Sequence, residues 1–217
     1  MNECLSTMAA ATVFTGIVGA AVVIGLLWGL ASRRSSLPCP VWLRWLVELD
    51  NPFAQTNHAA FIVEHLSLEP GMRVLDAGCG PGRLTIPLAK RIAPGKVLAL
   101  DLQAGMLSRA KQKVEAAGLT NIEFLHAGLS EVTLPRGAFD RAVMVTVLGE
   151  IPDRFGALRE VFAALRPGGI LSISEIIFDP HFQTRRVVAN LAKRVGFQEE
   201  ALLGGRFAYL MLLRKPK

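Results

Sequence analysis

The sequence predicts an α/β domain with a doubly wound, mostly parallel sheet, preceded by one transmembrane helix. Three observations carry that prediction. Beyond Asn51 the chain alternates short apolar strand-like runs with helix-like runs, the pattern of βα units. The first strand-like run leads into Asp76-Ala77-Gly78-Cys79-Gly80-Pro81-Gly82, where alternate glycines let the backbone turn tightly and approach a ligand. Finally, Ala9 to Ala31 contains no charge, proline, asparagine or glutamine. That run is long enough to cross a bilayer core of about 30 Å at about 1.5 Å per residue.

The N-terminal part divides into an anchor at 1–36 and a linker at 37–52. Glu3 is the one charged side chain before the apolar run, and Arg33 and Arg34 follow it. A secretory leader would carry its basic residues first and have a shorter apolar stretch. The positive-inside rule then places everything beyond Arg34 on the cytoplasmic side of a single-pass protein. Gly25 and Gly29 form a Gly-xxx-Gly pair that would allow a homodimer through the span. Val41-Trp42-Leu43-Arg44-Trp45-Leu46-Val47 reads as an amphipathic interfacial segment, with a linker helix packed on the domain as its alternative. The net charge of +6 is spread along the chain without a basic, aromatic-rich stripe. It suits an anionic membrane surface and gives no nucleic-acid footprint. Cys4, Cys39 and Cys79 have neither disulfide nor metal spacing, so no metal is expected.

The domain at 53–217 reads in order as follows. A helix at 54–66 ends before Pro70-Gly71, and a strand follows at 73–76. A helix at 83–92 stops at Pro94-Gly95, followed by a strand at 97–101. A helix at 104–117 ends at Gly118, a residue suited to the left-handed position beyond a helix. Strands at 122–126 and 141–148, a helix at 154–165 and the turn Pro167-Gly168-Gly169 lead to a strand at 170–177. A helix at 185–195 precedes two apolar runs, 197–203 and 207–213, joined as a hairpin at Gly204-Gly205.

A dinucleotide fingerprint would need glycine where this chain has Arg83. The string instead resembles the Asp-x-Gly-x-Gly-x-Gly fingerprint of class I S-adenosylmethionine (SAM) dependent methyltransferases, from about Phe53 to the C-terminus. The resemblance implies a Rossmann-like fold with an antiparallel last strand, and SAM as cofactor. It implies that Asp76, Gly78, Cys79 and Gly80 hold the methionine end and that Asp101 accepts the ribose hydroxyls. Leu102 and Met106 would sandwich the adenine, with Gly128 and Leu129 beside it. One departure stands out: the family often has Gly-Asp-Ala after the third strand, and this chain has Ala127-Gly128-Leu129. Ser130, Glu131, a backbone group or water would then have to meet the adenine amine.

Val147-Leu148-Gly149-Glu150-Ile151-Pro152-Asp153 lacks the Asn-Pro-Pro-Tyr type motif of amino-methylating DNA and protein members. With Leu165-Arg166-Pro167-Gly168-Gly169, it looks like the small methyltransferases of quinone and lipid metabolism. Methyl transfer from a sulfonium needs positioning above all, and a base if the acceptor arrives protonated. The candidate bases are Glu150, Glu175 and His181, in or before a loop (178–182) placed to cover substrate. Asp179 lies in the same loop, His126 reads as structural, and Asn57 and His58 either close over the methionine end or present a helix face. Together these features predict a membrane-anchored enzyme acting on a lipophilic acceptor. A phospholipid amine comes first, with a quinone precursor or a hydrophobic thiol as alternatives. A SAM-binding membrane interaction protein without catalysis is the rival of another class.

Overall fold

The computed structural model describes residues 54–217, all within the unit Cys39–Lys217 into which the chain divides alongside Met1–Pro38. The expected anchor at 1–36 and interfacial linker at 37–52 lie outside the described residues. Among the described residues no helix is long and apolar enough to cross a membrane.

A 3-10 turn at Gln55–Asn57 and helix α1 (Ala59–His65) lead into strand β1 (Arg73–Ala77). Then come α2 (Thr85–Ile92), β2 (Lys96–Asp101), α3 (Ala104–Ala116), β3 (Ile122–His126) and β4 (Phe139–Val145). A second 3-10 turn, Leu148–Glu150, precedes α4 (Arg154–Ala164), β5 (Leu165–Ile176), α5 (Arg185–Val195), β6 (Gln198–Gly204) and β7 (Ala208–Arg214). The seven strands form one sheet in the order β3-β2-β1-β4-β5-β7-β6. β7 runs antiparallel to both neighbours, and the remaining pairs are parallel. This is a Rossmann-like methyltransferase sheet whose order reverses between β1 and β4, where a doubly wound fold opens its ligand crevice.

β4 shows why the centre is stable. All but the last of its residues are buried, as expected for a parallel strand covered on both faces. Two apolar clusters flank the sheet. One joins α4 and α5 to β4, β5 and β7 through residues such as Leu158, Val188, Met144 and Tyr209. The other joins α1 and α2 to β1 and β4 through Ile62, Leu88, Val74 and Val143. The one arginine buried in β4, Arg141, donates to the carbonyls of Leu66 and Ser67 and thereby ties down the chain after α1.

Three element boundaries differ from the sequence reading, each for a local reason. The helix expected at 54–66 is broken at His58, whose extended backbone separates the 3-10 turn from α1. The strand expected at 141–148 stops at Val145, because Thr146 adopts φ 53°, a left-handed conformation unusual for a β-branched residue. β5 starts at Leu165, and the expected turn at 167–169 sits inside it, where pairing with β4 shifts register.

Candidate functional site

The site lies along the carboxyl edge of the parallel strands. At its centre, one residue before the end of β1, Asp76 is buried and accepts a 2.6 Å hydrogen bond from the Thr85 hydroxyl in the first turn of α2. Burial pushes the Asp76 carboxyl up to about 6; the Asp101 charge adds to the rise, while Thr85 and Arg83 oppose it. Beyond Asp76 the chain turns through Gly78, Gly80 and Gly82, all at positive φ. The N–H groups of Gly78 and Cys79 both donate to the Leu100 carbonyl at 2.7 and 3.0 Å, which pins the loop to β2. At Gly78 a second constraint acts: a Cβ there would sit 2.4 Å from a Val147 methyl. The strained Thr146 delivers that valine to the loop, held by its N–H to the Ser174 carbonyl at 2.8 Å.

Asp101, at the end of β2, uses one oxygen to accept from Gly80 N–H and the other from Gln103 N–H, each at 2.8 Å. Each oxygen keeps a lone pair for a further donor. Burial raises its carboxyl above the ordinary range, and the two backbone donors oppose that rise. Leu102 follows with 56% of its surface exposed, whereas Met106 is 2% exposed. Met106 is a core residue of α3, and Leu102 alone presents an open face. Leu129 is likewise in the core. Gly128 lies under two side chains: Leu102 Cδ1 and the Glu131 carboxylate are both 3.5 Å from where a Cβ on Gly128 would sit. Cys79 is buried beside Ala99 and Leu107, and burial drives its thiol pKa far up, which leaves it a packing residue.

The first 3-10 turn closes one flank. Arg83 donates to the Asn57 carbonyl at 2.9 Å and to Asn57 Oδ1 at 3.0 Å. Asn57 Nδ2 reaches Ser174 Oγ at 3.2 Å, and Ser174 in turn donates to the Thr56 carbonyl at 3.1 Å. Asn57 therefore stitches the glycine loop to β5. His126, exposed on β3, supports the Leu102 carbonyl at 2.8 Å.

The other half of the edge gathers titratable groups from β5, the second 3-10 turn and the 177–184 loop. Glu175 is 1% exposed; its Oε2 accepts from Gln183 N–H at 3.0 Å and its Oε1 has no hydrogen-bond partner. Burial pushes its carboxyl up to about 8, and the charges of Asp179 and Glu150 push the same way, against the Gln183 N–H and Arg154. The loop is fastened over it. Tyr209 donates its hydroxyl to the Gln183 carbonyl at 2.7 Å, and Gln183 Nε2 donates to the His181 carbonyl at 2.6 Å. That carbonyl would meet any side chain at Gly149, so loop and 3-10 turn pack backbone to backbone. His181 is buried, with its Nδ1 3.8 Å from Asp179 Oδ1. Of the three expected bases, the structure brings Glu150, Glu175 and His181 to one end of the sheet, and Glu150 is the one left partly exposed.

Sequence reasoning missed Thr85, Val147, Gln183 and Tyr209. Thr85 lies nine residues past its partner in a common helix start and Gln183 eight past Glu175 in a loop, while Val147 and Tyr209 act on groups far away in the chain.

Comparison with known proteins agrees with this geometry. Residues 74–169 match the profile of a family described as a methyltransferase domain. The chain is 34% identical over 110 residues to a demethylmenaquinone methyltransferase of Geobacillus stearothermophilus, a match covering 50% of this chain and 47% of the relative. The chain thus spans about half the length of the curated relatives it matches. Among solved structures, a SAM dependent methyltransferase from Aquifex aeolicus superposes with TM-score 0.73 at 21% identity, over 82% of this chain and 99% of that one. A phosphoethanolamine N-methyltransferase of Haemonchus contortus, in complex with phosphomonomethylethanolamine and S-adenosylhomocysteine, gives TM-score 0.65 at 15% identity, over 74% and 53%. These two share the fold. Residues 74–169 thus match a methyltransferase domain, set in a fold shared with a SAM dependent methyltransferase.

The residues present suit SAM. Two carboxylates, Asp76 and Asp101, face the glycine loop where a cationic methionine end would lie, and Asp101 retains acceptor capacity for a diol. Leu102 offers an apolar face, with the Glu131 carboxylate beside it over Gly128.

Proposed function

We propose that this domain transfers the methyl group of SAM to a lipophilic acceptor, and that the acceptor is a quinone-type ring methylated at carbon or oxygen. The similarity to demethylmenaquinone methyltransferases, 34% identical over 110 residues, carries this choice. It moves the phospholipid amine, the first choice from sequence, behind the quinone alternative. The phosphoethanolamine methyltransferase is like this chain in fold alone.

SAM, when bound, supplies an electrophilic methyl group on a sulfonium. Asp76 and the Gly78–Gly80 backbone hold the methionine end, Asp101 the ribose, Leu102 the adenine face. Glu131 takes the place of the absent side-chain acceptor after β3, because its carboxylate already hangs over Gly128. A ring hydroxyl must lose its proton for the ring to become nucleophilic. Glu150 is the proton acceptor in this reading, since of the three candidate bases it is the one left partly exposed. Glu175 is a positioning residue. With its carboxyl pushed up to about 8 it stays neutral at pH 7, spares Glu150 a second buried charge, and fastens Gln183. A single-pass anchor at 1–36 remains part of the proposal. A protein held at the bilayer meets a bilayer-dissolved acceptor at higher effective concentration. Incubating the full chain with methyl-labelled SAM and a total lipid extract tests the reading. Label in the quinone fraction supports it; label confined to phospholipid headgroups overturns the acceptor.

A further inference from the structure

Five large apolar side chains are exposed on the described domain: Leu102, Ile177, Phe178, Val187 and Phe207. All five follow or flank the carboxyl ends of parallel strands, at the edge that holds the crevice. Leu102 follows β2; Ile177 and Phe178 follow β5; Val187 is in the first turn of α5; Phe207 is on the β6–β7 hairpin. Ile177 and its neighbour Phe178 adjoin Phe207. Ile177 N–H donates to the Phe207 carbonyl at 2.7 Å, so the end of β5 and the hairpin tip form one surface. Phe178 is 69% exposed and Phe207 49%, on a face that no other part of the described domain covers.

Charge says what this surface fits. Arg206 lies 4.4 Å over the Phe207 ring, and Arg185 and Arg186 open α5 beside it. Between 177 and 187 and between 204 and 208 the one acid is Asp179, half-buried with its carboxylate accepting the His181 N–H at 2.6 Å. Exposed aromatic rings beside arginines, with no fully exposed carboxylate in these two segments, match the boundary between anionic headgroups and acyl chains. The first 3-10 turn packs here too, with a Thr56 methyl 2.7 Å from the position of a Cβ on Gly204.

We infer that the edge formed by Ile177, Phe178, Val187, Arg206 and Phe207 docks on an anionic bilayer surface, with the crevice mouth facing the lipid. The inference rests on the reading of a lipophilic acceptor, and its main test does not depend on that reading. Hydrogen exchange of the full chain is compared free, with phosphatidylcholine vesicles, and with vesicles containing about one-third phosphatidylglycerol. On the anionic vesicles, peptides covering 177–187 and 204–208 exchange more slowly, while those at the opposite edge, such as 117–121, do not change. Unchanged exchange in both segments of vesicle-bound protein overturns the inference, as does failure to bind the anionic vesicles. A second measurement uses the double variant R206E/F207Q, outside the proposed catalytic and cofactor groups. It should lower transfer to an acceptor embedded in anionic vesicles by about tenfold, given the area one ring buries, and leave a water-soluble acceptor analogue unaffected. Equal loss on both acceptors overturns the docking role. Absence of methyl transfer to any quinone acceptor, with the exchange pattern intact, overturns the proposed function and leaves the docking surface standing.

Discussion

The two halves of the crevice are built on different principles. From β1 to β3 the site is made of backbone: glycines at positive φ, N–H groups pinned to Leu100, and an Asp101 whose two oxygens are each occupied by a main-chain donor. From β4 to β7 it is made of side chains, and ionisable ones. Glu175 keeps an orphaned oxygen among Glu150 and Asp179, beneath a loop tied by Gln183 and Tyr209. The first half fixes a shape suited to a cofactor common to many proteins. The second sets charge and access, which is where an acceptor is chosen. A rigid frame beside a tunable one is how one fold hosts many chemistries.

The sharpest way to break the backbone half is Gly78→Val. A β-branched residue at φ 78° whose Cβ meets Val147 at 2.4 Å should cost about 4 kcal/mol and abolish SAM binding. Adding Val147→Ala should return the overpacking part, about 2 kcal/mol, and leave the φ penalty. Urea denaturation of the two variants measures both.

The acidic half should show itself through pH. Folding raises the Glu175 pKa from 4.5 to about 8, so the folded chain keeps a proton that the unfolded chain has lost between those values. The Glu175 contribution is therefore intact below pH 4.5 and declines as pH rises to 8. Glu175→Gln removes that decline, and above pH 8 the variant should be the more stable by about 3 kcal/mol. Denaturation at pH 5, 7 and 9 would show the gap opening with pH; a constant difference would mean that Glu175 ionises normally.

Asp101→Ala comes next, with SAM affinity falling by about a hundredfold as two charge-assisted backbone bonds and the ribose acceptor are lost together. Unfolding stability would report the backbone share separately. The smallest effect belongs to Asp76, whose carboxyl is pushed up to about 6. Below that pH it is protonated and holds a cationic methionine end less well. SAM affinity should therefore fall by up to about tenfold per unit of pH below 6. A flat profile from pH 5 to 7 would place the cation elsewhere.

The same contrast explains what could be read from the sequence. Asp76, Gly78, Gly80 and Asp101 are legible as positions because a short string and a strand end mark them, and the largely parallel sheet follows from βα alternation. The helices at 185–195 and 104–116 are also legible, through their flanking turn residues. Position after β2 does not say which face of α3 Met106 occupies, and it is buried. The strand past Val145 was misread because nothing in Thr146 announces a left-handed turn; Ser174 imposes it from another strand. In the acidic half, Glu150, Glu175 and His181 could be singled out one at a time. Burial orders them, and burial depends on Gln183 and Tyr209, which carry no motif.

One titration tests the division directly. SAM is titrated by calorimetry into the full chain and into its Glu150→Gln variant, and methyl transfer to a quinone-type acceptor is measured on both. The account predicts SAM affinities equal within about twofold, because the cofactor half stands apart from Glu150, together with transfer lost by about a hundredfold or more in the variant. No heat of SAM binding to the unaltered chain, or equal loss of binding and transfer in the variant, would contradict it.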